Sequence, residues 1–139
     1  MIGVNLKHYF FATQAVLPGM RRARAGSIIT YGLHLLDAES PGLSGLRDVQ
    51  FRDCRLSMVH AAEFGDDRIR VNTLTPGWIM TQKQVDLWMT PQGEKDLEKG
   101  QLLKERLHEP DVARLALFLA ADDSRLITAQ NYLVDAGWA

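Results

Sequence analysis

Residues 68–81 run Arg68-Ile69-Arg70-Val71-Asn72-Thr73-Leu74-Thr75-Pro76-Gly77-Trp78-Ile79-Met80-Thr81. Ile69, Val71 and Leu74 favour β structure, and a Pro-Gly breaker follows them, so this segment predicts a short buried strand that runs into a loop. Pro76 cannot donate to a strand ladder, and Gly77 allows the backbone to turn and a ligand to come close. In an open α/β sheet, ligands bind just beyond the carboxyl ends of the strands. We therefore expect this loop to border a binding site.

Length and composition limit the class of protein. The 139 residues are enough for one small domain, and the apolar share of 46% and charged share of 24% are ordinary for a globular chain. A formal net charge of −1 gives no reason to expect nucleic acid or an anionic membrane as a partner. No apolar run approaches the roughly 20 residues of a membrane helix, and no signal peptide follows Met1. Because Cys54 is the single cysteine, an internal disulfide is excluded, and we expect a cytoplasmic protein.

Metal chemistry is not expected. His34 and His60 have no second ligand at metal spacing, so the pattern predicts two surface histidines and no metal site.

The rest of the chain predicts an α/β fold with three strands. The strands are expected at Ser27–Tyr31, Ile69–Leu74 and Tyr132–Asp135. A helix with an apolar stripe is expected over Met1–Arg24, and another begins at Glu109, where a proline and acidic residues mark a helix start. Residues 46–64 could form a further helix, although its apolar residues do not hold one face.

Four motifs resemble the short-chain dehydrogenase/reductase family. Arg70 to Thr81, as Arg-Val-Asn-x-Leu-x-Pro-Gly-Trp-Ile-x-Thr, resembles the sixth strand and the cofactor loop of that family. Residues 26–32 resemble its fifth strand, Asn5-Leu6-Lys7-x-x-Phe10 the helix that carries its active-site asparagine, and residues 119–130 its C-terminal signature. The resemblance covers residues 1–32 and 62–139.

This resemblance implies a partial Rossmann-like fold, a fragment of a doubly wound parallel sheet that forms one incomplete domain over residues 1–139. The family's Gly-rich turn, Gly-x-x-x-Gly-x-Gly after a first strand, is absent from these residues, and so are the first four strands in the family order. The resemblance therefore implies that the N-terminal nucleotide-binding half is lacking.

The resemblance also implies a site and its ligands. The cofactor is NAD or NADP, and the cofactor-binding residues are Pro76, Gly77, Ile79 and Thr81. Asn5 matches the asparagine that holds a proton-relay water. The substrate is a sugar or an alcohol, since residues 82–107 resemble those of aldose dehydrogenases that act on xylose or related sugars. An amphipathic lid helix without a retained ligand is the equal alternative for that segment. The family also implies a homo-oligomer.

The sequence departs from the family at its catalytic residues. Aligning backwards from residues 70–72 puts Leu33 at the catalytic serine, Leu46 at the tyrosine and Gln50 at the lysine. Leucine has no proton to transfer, and glutamine carries no charge. The chain alone is therefore predicted to be inactive.

Residues 33–59 form the divergent segment, and an out-of-frame translation of the active-site region is our hypothesis for it. Synonymous codons for Leu46–Gln50, shifted by one nucleotide, encode Tyr-Ala-Thr-Ser with the tyrosine at the aligned position. The nucleotide sequence decides this hypothesis.

Three functions remain open. The chain is an inactive fragment of a nicotinamide-dependent sugar dehydrogenase, one half of a two-chain enzyme, or a non-catalytic oligomerisation or interaction module of the same descent. Cofactor binding, alone or with a partner chain, separates them.

Overall fold

A computed structural model describes residues 2–32 and 55–138, with the backbone alone for residues 2–6 and Trp88. The helices of this part are α1 (Ile2–Ala23), α2 (residues 55–64), α3 (Gln82–Trp88), α4 (Pro91–Gly100) and α5 (Glu109–Ala120). The strands are β1 (Gly26–Tyr31), β2 (Ile69–Pro76) and β3 (Asn131–Val134). Short 3-10 turns at Gly65–Asp67 and Asp122–Ser124 follow α2 and α5.

The three strands form one parallel sheet in the order β1-β2-β3. Gly26–Tyr31 align with Ile69–Leu74, and Thr73–Pro76 align with Asn131–Val134. The prediction of an α/β fold with three parallel strands is confirmed.

The strand ends differ from the prediction by one or two residues, most at β2. The sequence predicted that this strand ends at Leu74, but it continues through Pro76. Proline is tolerated here because it occupies the last position of the strand, where Gly77 supplies the donor by bonding from its N to the Val134 O at 2.8 Å.

The central strand β2 is buried on both faces. Ile69 is 1% exposed, and every residue from Val71 to Thr75 is fully buried. A strand between two parallel neighbours, with helices over the sheet, has no face left for water. Ile69 and Val71 pack with Ala61 and Phe64 of α2 in the main apolar cluster.

The polar side chains of β2 all have partners. The Asn72 Nδ2 donates to the Ile127 O at 2.9 Å, and its Oδ1 accepts from the Gln130 N at 3.1 Å. The Thr75 Oγ1 donates to the Asn131 Oδ1 at 2.7 Å. A buried polar group without a partner is destabilising. These bonds therefore hold the segment that precedes β3, and the start of β3 itself, beside β2.

Arg70 joins β2 to the end of α5. Its guanidinium donates to the Leu119 O at 2.8 Å, the Ala121 O at 3.2 Å and the Ser124 Oγ at 2.9 Å. The last carbonyl groups of a helix have no partner within the helix, and a cation is favourable at that end. Arg70 therefore acts as a C-terminal cap supplied by another element.

Three hydroxyl groups connect α2 to the sheet. The Oγ atoms of Thr30, Ser57 and Thr73 lie 2.9–3.1 Å from one another, and all three residues are buried. Each hydroxyl can donate one bond and accept another around this ring, so the polar contact is satisfied without water.

The prediction for His60 is wrong. This residue is 8% exposed, and its ring stacks on Phe64 with the ring centroids 5.2 Å apart. Helical spacing places Ser57, His60, Ala61 and Phe64 on one face of α2, and that face packs on the sheet. His34, the other histidine of that prediction, lies outside the described residues.

The cap supplied by Arg70 can be tested by substitution. Arg70→Met keeps an apolar stem but removes three hydrogen bonds, so we expect a loss of about 1–3 kcal/mol in the free energy of unfolding, measured in urea. Arg125→Met is the control, because Arg125 is exposed and its side chain forms no hydrogen bond or ion pair within residues 2–32 and 55–138. The control should stay within about 0.5 kcal/mol. Equal losses would contradict the capping role.

Candidate functional site

The candidate site lies at the carboxyl edge of the sheet, where β1, β2 and β3 end together. Gly32 follows β1, the loop from Gly77 to Thr81 follows β2, and Asp135 follows β3. Ligands of open α/β sheets bind beyond this edge. Parallel pairing therefore brings three segments together that are far apart in the sequence.

Gly77 is required by a contact within the chain. A Cβ atom at this position would lie 2.7 Å from both the Cα and the Cβ of Asp135. The sequence interpretation gave this glycine to a turn and to a nearby ligand, but the close neighbour is the backbone at the end of β3. Pro76 and Gly77 thus hold β2 and β3 together where the loop begins.

The rest of the loop is bound by the segment around Leu107. Ile79 forms an isolated parallel bridge with Leu107, and the Met80 N donates to the Leu107 O at 2.8 Å. The Thr81 N donates to the Ile79 O at 2.8 Å. These bonds position the loop on the segment before α5.

Thr81 begins α3 as its N-cap. Its Oγ1 accepts from the Gln84 N at 3.2 Å, as capping threonines do. A hydroxyl that accepts in this way keeps its proton, so Thr81 can still donate one hydrogen bond to a ligand beside the loop.

Trp78 carries an unusual polar atom. Its Nε1 is buried and has no hydrogen-bond acceptor in the described part of the chain. Indole nitrogen can only donate, so an acceptor from a ligand or another segment would satisfy it. The Pro-Gly-Trp motif drew attention to the loop, but no local pattern indicated this donor.

Asp135 was predicted as the last residue of a strand, and it instead forms the turn after β3. It is 9% exposed, and its Oδ1 accepts from the Gly137 N at 2.9 Å. The backbone at Ala136 and Gly137 is left-handed, with φ of 59° and 71°. The Gly137 O accepts from the Leu102 N at 2.8 Å, so this turn fastens the segment after α4 to the sheet.

Two helices, α3 and α4, follow the loop, where the sequence offered a single lid helix as one alternative. The described side chains of α3 are exposed, whereas α4 buries Leu97 against the fold. The Gln82 Nε2 donates to the Asp86 Oδ1 within α3 at 2.8 Å. The side-chain amide of Gln82 is therefore engaged within its own helix.

Asn5 lies on α1, at the end that approaches the carboxyl edge of β1. The Tyr9 hydroxyl, one turn further along the helix, donates to the Tyr31 O and accepts from the Tyr31 N at 3.1 Å. Helix geometry therefore puts the backbone of Asn5 near the same edge as the Gly77 loop. The contact between Tyr9 and Tyr31 spans 22 residues, and no sequence pattern predicted it.

The catalytic positions of the alignment, Leu33, Leu46 and Gln50, lie outside the described residues. The divergent segment 33–59 is described only from residue 55 onward, and residues 55–59 belong to α2.

A cavity lies at the opposite edge of the sheet, where the amino ends of the strands are. It has a volume of about 920 Å³ and is lined by the amino ends of β1 and β2 and by Arg24, Arg68, Arg70 and Arg125. Arg70 already caps α5, and the Arg24 Nη2 donates to the Asp66 O at 3.1 Å. Because ligands of such sheets bind at the carboxyl ends, we place the candidate site at the Gly77 loop instead.

Within residues 2–32 and 55–138, no group of three or more His, Cys, Asp or Glu side chains could hold a metal ion. In the same ranges, no helix combines the length and apolar character needed to cross a membrane.

The close contact at Gly77 predicts opposite effects for two glycine substitutions. Gly77→Ala should lower the free energy of unfolding by about 1–3 kcal/mol, because the new methyl group overlaps Asp135. Gly19→Ala should raise it by about 0.5–1 kcal/mol, since Gly19 lies inside α1 and, among the described residues beyond its own helix backbone and chain neighbours, a methyl group there would meet no heavy atom within 4 Å. Thermal unfolding of both variants measures this, and a neutral Gly77→Ala would contradict the close approach.

Comparison with known proteins identifies related chains. The family model described as enoyl-(acyl carrier protein) reductase matches residues 1–139. D-xylose 1-dehydrogenase of Caulobacter vibrioides is 38% identical over 99% of this chain and 55% of its own length. The probable galactose dehydrogenase of Rhizobium meliloti is 35% identical over 98% of this chain and 53% of its own length.

A solved structure shows the same fold. Gluconate 5-dehydrogenase from Burkholderia cenocepacia, in complex with NADP and tartrate, superimposes with a TM-score of 0.84 at 23% identity. The superposition covers 96% of this chain and 52% of that chain. Residues 1–139 therefore span about half the length of the curated relatives they match.

Proposed function

Because the chain belongs to the short-chain dehydrogenase/reductase family, we propose that residues 1–139 form the C-terminal part of an NAD(P)-dependent sugar or alcohol dehydrogenase and do not catalyse the reaction by themselves. The observation that carries this proposal is the mismatch at the catalytic positions, where Leu33, Leu46 and Gln50 stand for serine, tyrosine and lysine. The likeness to a xylose and a galactose dehydrogenase supports a sugar as the substrate.

The chain carries only the nicotinamide side of a cofactor site. Pro76, Gly77, Ile79 and Thr81 are our candidate cofactor residues, and the hydroxyl proton of Thr81 supports this because it can reach a ligand acceptor. No Gly-rich turn for a pyrophosphate occurs in residues 1–139. These residues alone do not fit a complete dinucleotide.

Asn5 is the one catalytic residue that we carry over from the family. Its place on α1 near the carboxyl edge of β1 supports a role in holding a water molecule for proton transfer. Because Leu46 stands at the position of the family's catalytic tyrosine, no tyrosine at that position would exchange a proton with the water that Asn5 holds. We therefore propose Asn5 as a remnant of the active site. We also propose that the protein is cytoplasmic.

Activity assays test the proposal. The purified chain should show no NAD(P)-linked oxidation of xylose, arabinose, glucose or galactose and no detectable cofactor binding. General acid–base catalysis contributes roughly 10²–10⁴ in rate, and loss of the pyrophosphate site removes the reaction entirely.

Repair experiments sharpen this test. The triple variant Leu33→Ser, Leu46→Tyr and Gln50→Lys should stay inactive, because it restores no pyrophosphate site. An upstream half together with a repaired segment 33–59 should restore turnover. Sugar-dependent NADH formation by the unchanged chain would overturn the proposal. Cofactor binding that appears only with an added partner chain would favour the two-chain enzyme.

A non-catalytic oligomerisation module is the second candidate, and one observation favours it. Phe10, Phe11 and Val59 of α1 and α2 are 45%, 62% and 59% exposed. Phe10 and Phe11 also line an apolar cavity of about 240 Å³ with Leu56 and the Lys7 stem. Exposed apolar clusters of this kind mark protein interfaces.

Sedimentation velocity separates the candidates. If α1 and α2 form a homo-oligomer interface, Phe11→Glu should weaken self-association roughly tenfold or more. Leu126→Glu is the matched control, because Leu126 is 81% exposed and lies at the other edge of the sheet. A chain that is monomeric at all concentrations would exclude the oligomerisation module.

A further inference from the structure

The cavity at the amino edge of the sheet has an excess of positive charge. Its lining contains four arginines and a single acidic residue, Asp122. Because the whole chain has a formal net charge of −1, this excess is a local feature and not a property of the surface in general. The volume of about 920 Å³ is in the range of small-molecule sites. We call this space the arginine cavity, and its arginines are Arg24, Arg68, Arg70 and Arg125.

Two of these arginines bind carbonyl groups of the chain. Arg70 donates to the Leu119 O and the Ala121 O at the end of α5, and the Arg24 Nη2 donates to the Asp66 O. Cations are favourable where helices end, because the last carbonyl groups have no partner within the helix. The fold alone therefore accounts for the position of Arg24 and Arg70.

The fold does not account for Arg68 and Arg125. Both are exposed, and neither side chain forms a hydrogen bond or an ion pair within residues 2–32 and 55–138. In the same ranges, Asp122 forms no ion pair with either of them, although it belongs to the same lining. A guanidinium group presents a planar fork of donors that matches the oxygens of phosphate groups. Two such forks are thus available to a ligand in one cavity.

The backbone at Arg24 and Arg68 is unusual for residues with a side chain. Their φ angles are 50° and 59°, in the left-handed region. Arg24 follows the last residue of α1, where glycine is common, and Arg68 ends the Gly65–Asp67 turn. A Cβ atom makes this conformation unfavourable, and such strained positions cluster at functional sites. The chain thus places two long cations beside the cavity at positions where glycine would be less strained.

We propose that the arginine cavity binds a small polyphosphate, inorganic or organic, whose terminal phosphate is held by Arg68 and Arg125. Arginine binds phosphate oxygens through paired, charge-assisted hydrogen bonds. Arg24 adds a third positive charge through the N–H groups that its bond to the Asp66 O leaves over. The cavity is much larger than one phosphate group, so a chain of two or three phosphates fits.

This site lies far from the candidate cofactor residues. The eight residues of β2 separate the arginine cavity from the Gly77 loop, and eight residues of strand span roughly 25 Å. Residues 33–54 lie outside the described part, and both residues that flank them lie away from the cavity. Gly32 follows the carboxyl end of β1, and Arg55 begins α2 at roughly 15 Å from Gly65.

Isothermal titration calorimetry in a phosphate-free buffer tests the site, with sodium diphosphate and sodium tripolyphosphate as the probes. Both should bind, and tripolyphosphate should bind more tightly because it carries more charge. Binding should weaken as sodium chloride is raised from about 50 to 500 mM, since salt screens exposed charges. Citrate is the comparison anion. No binding of either polyphosphate, or citrate binding as tight as that of diphosphate, would overturn the proposal.

Two charge changes of opposite sign locate the bound anion. Arg68→Gln and Arg125→Gln should each weaken diphosphate binding roughly threefold to tenfold, because each removes a guanidinium that contacts the phosphate. Asp122→Asn should strengthen it by about twofold, because it removes the carboxylate of the lining. Damage to the fold would weaken binding in all three variants, and that result would contradict the proposal.

Arg114→Gln is the matched control for net charge. Arg114 lies on α5 outside the lining of the cavity, and its Nη1 is 3.3 Å from the Asp111 Oδ1. This variant should leave the dissociation constant for diphosphate unchanged. Weakening equal to that of Arg68→Gln would show that binding follows the net charge of the chain alone, which would overturn the site.

Arg68→Gly separates binding from a structural role. Glycine relieves the left-handed backbone, so this variant should raise the thermal midpoint, yet it removes the guanidinium and should still weaken diphosphate binding. Unchanged binding would overturn the role of Arg68. The inference does not depend on the proposed dehydrogenase. NAD has no terminal phosphate, so it should not compete with diphosphate, and competition by NAD would also count against the polyphosphate site.

Discussion

The burial of β2 imposes the main constraint on this structure. Val71 to Thr75 are shielded from water, yet the strand contains one amide and two hydroxyl side chains. Asn72 is satisfied only if the chain at Ile127 and Gln130 runs beside it. Arg70 adds the end of α5. Hydrogen bonds of two polar side chains of one strand thus hold residues 119–130 beside the sheet.

This arrangement also positions the candidate site. Since β2 and β3 are held in register, the loop after Pro76 starts from a fixed point against Asp135. The Leu107 bridge and the Thr81 cap then support its far end. Residues from three distant parts of the chain therefore present one continuous edge, although the loop itself has no regular structure.

The features that were predictable from the sequence are local ones. Runs such as Ile69 to Leu74 cluster β-forming residues, and Pro-Gly marks the loop, so the strands were predicted correctly, whereas their parallel arrangement followed from the family resemblance. The Glu109 start of α5 was also predicted correctly, since a proline and acidic residues stand in its first turn. These signals depend on neighbours within a few positions.

The features that escaped prediction depend on distant partners. Tyr9 on α1 binds Tyr31 at the end of β1, 22 residues away, and Arg70 on β2 binds the end of α5 some 50 residues later. Neither contact leaves a periodic trace in the sequence. His60 was misassigned because the lack of a second metal ligand nearby does not show whether the ring is exposed, and Phe64 in fact stacks on it. The roles of Leu33, Leu46 and Gln50 stay predictions.

The ring of hydroxyls at Thr30, Ser57 and Thr73 has a consequence for how α2 finds its place. Apolar side chains tolerate sliding, because one methyl group packs nearly as well as another, whereas a closed ring of three donors and acceptors exists in one alignment only. A shift of α2 by one residue would bring Leu56 or Met58 against Thr30 and Thr73, and both threonine hydroxyls would lose their hydrogen bond to Ser57. The ring therefore sets the rotation of α2 about its axis and its position along that axis relative to the sheet, whatever sequence leads into the helix.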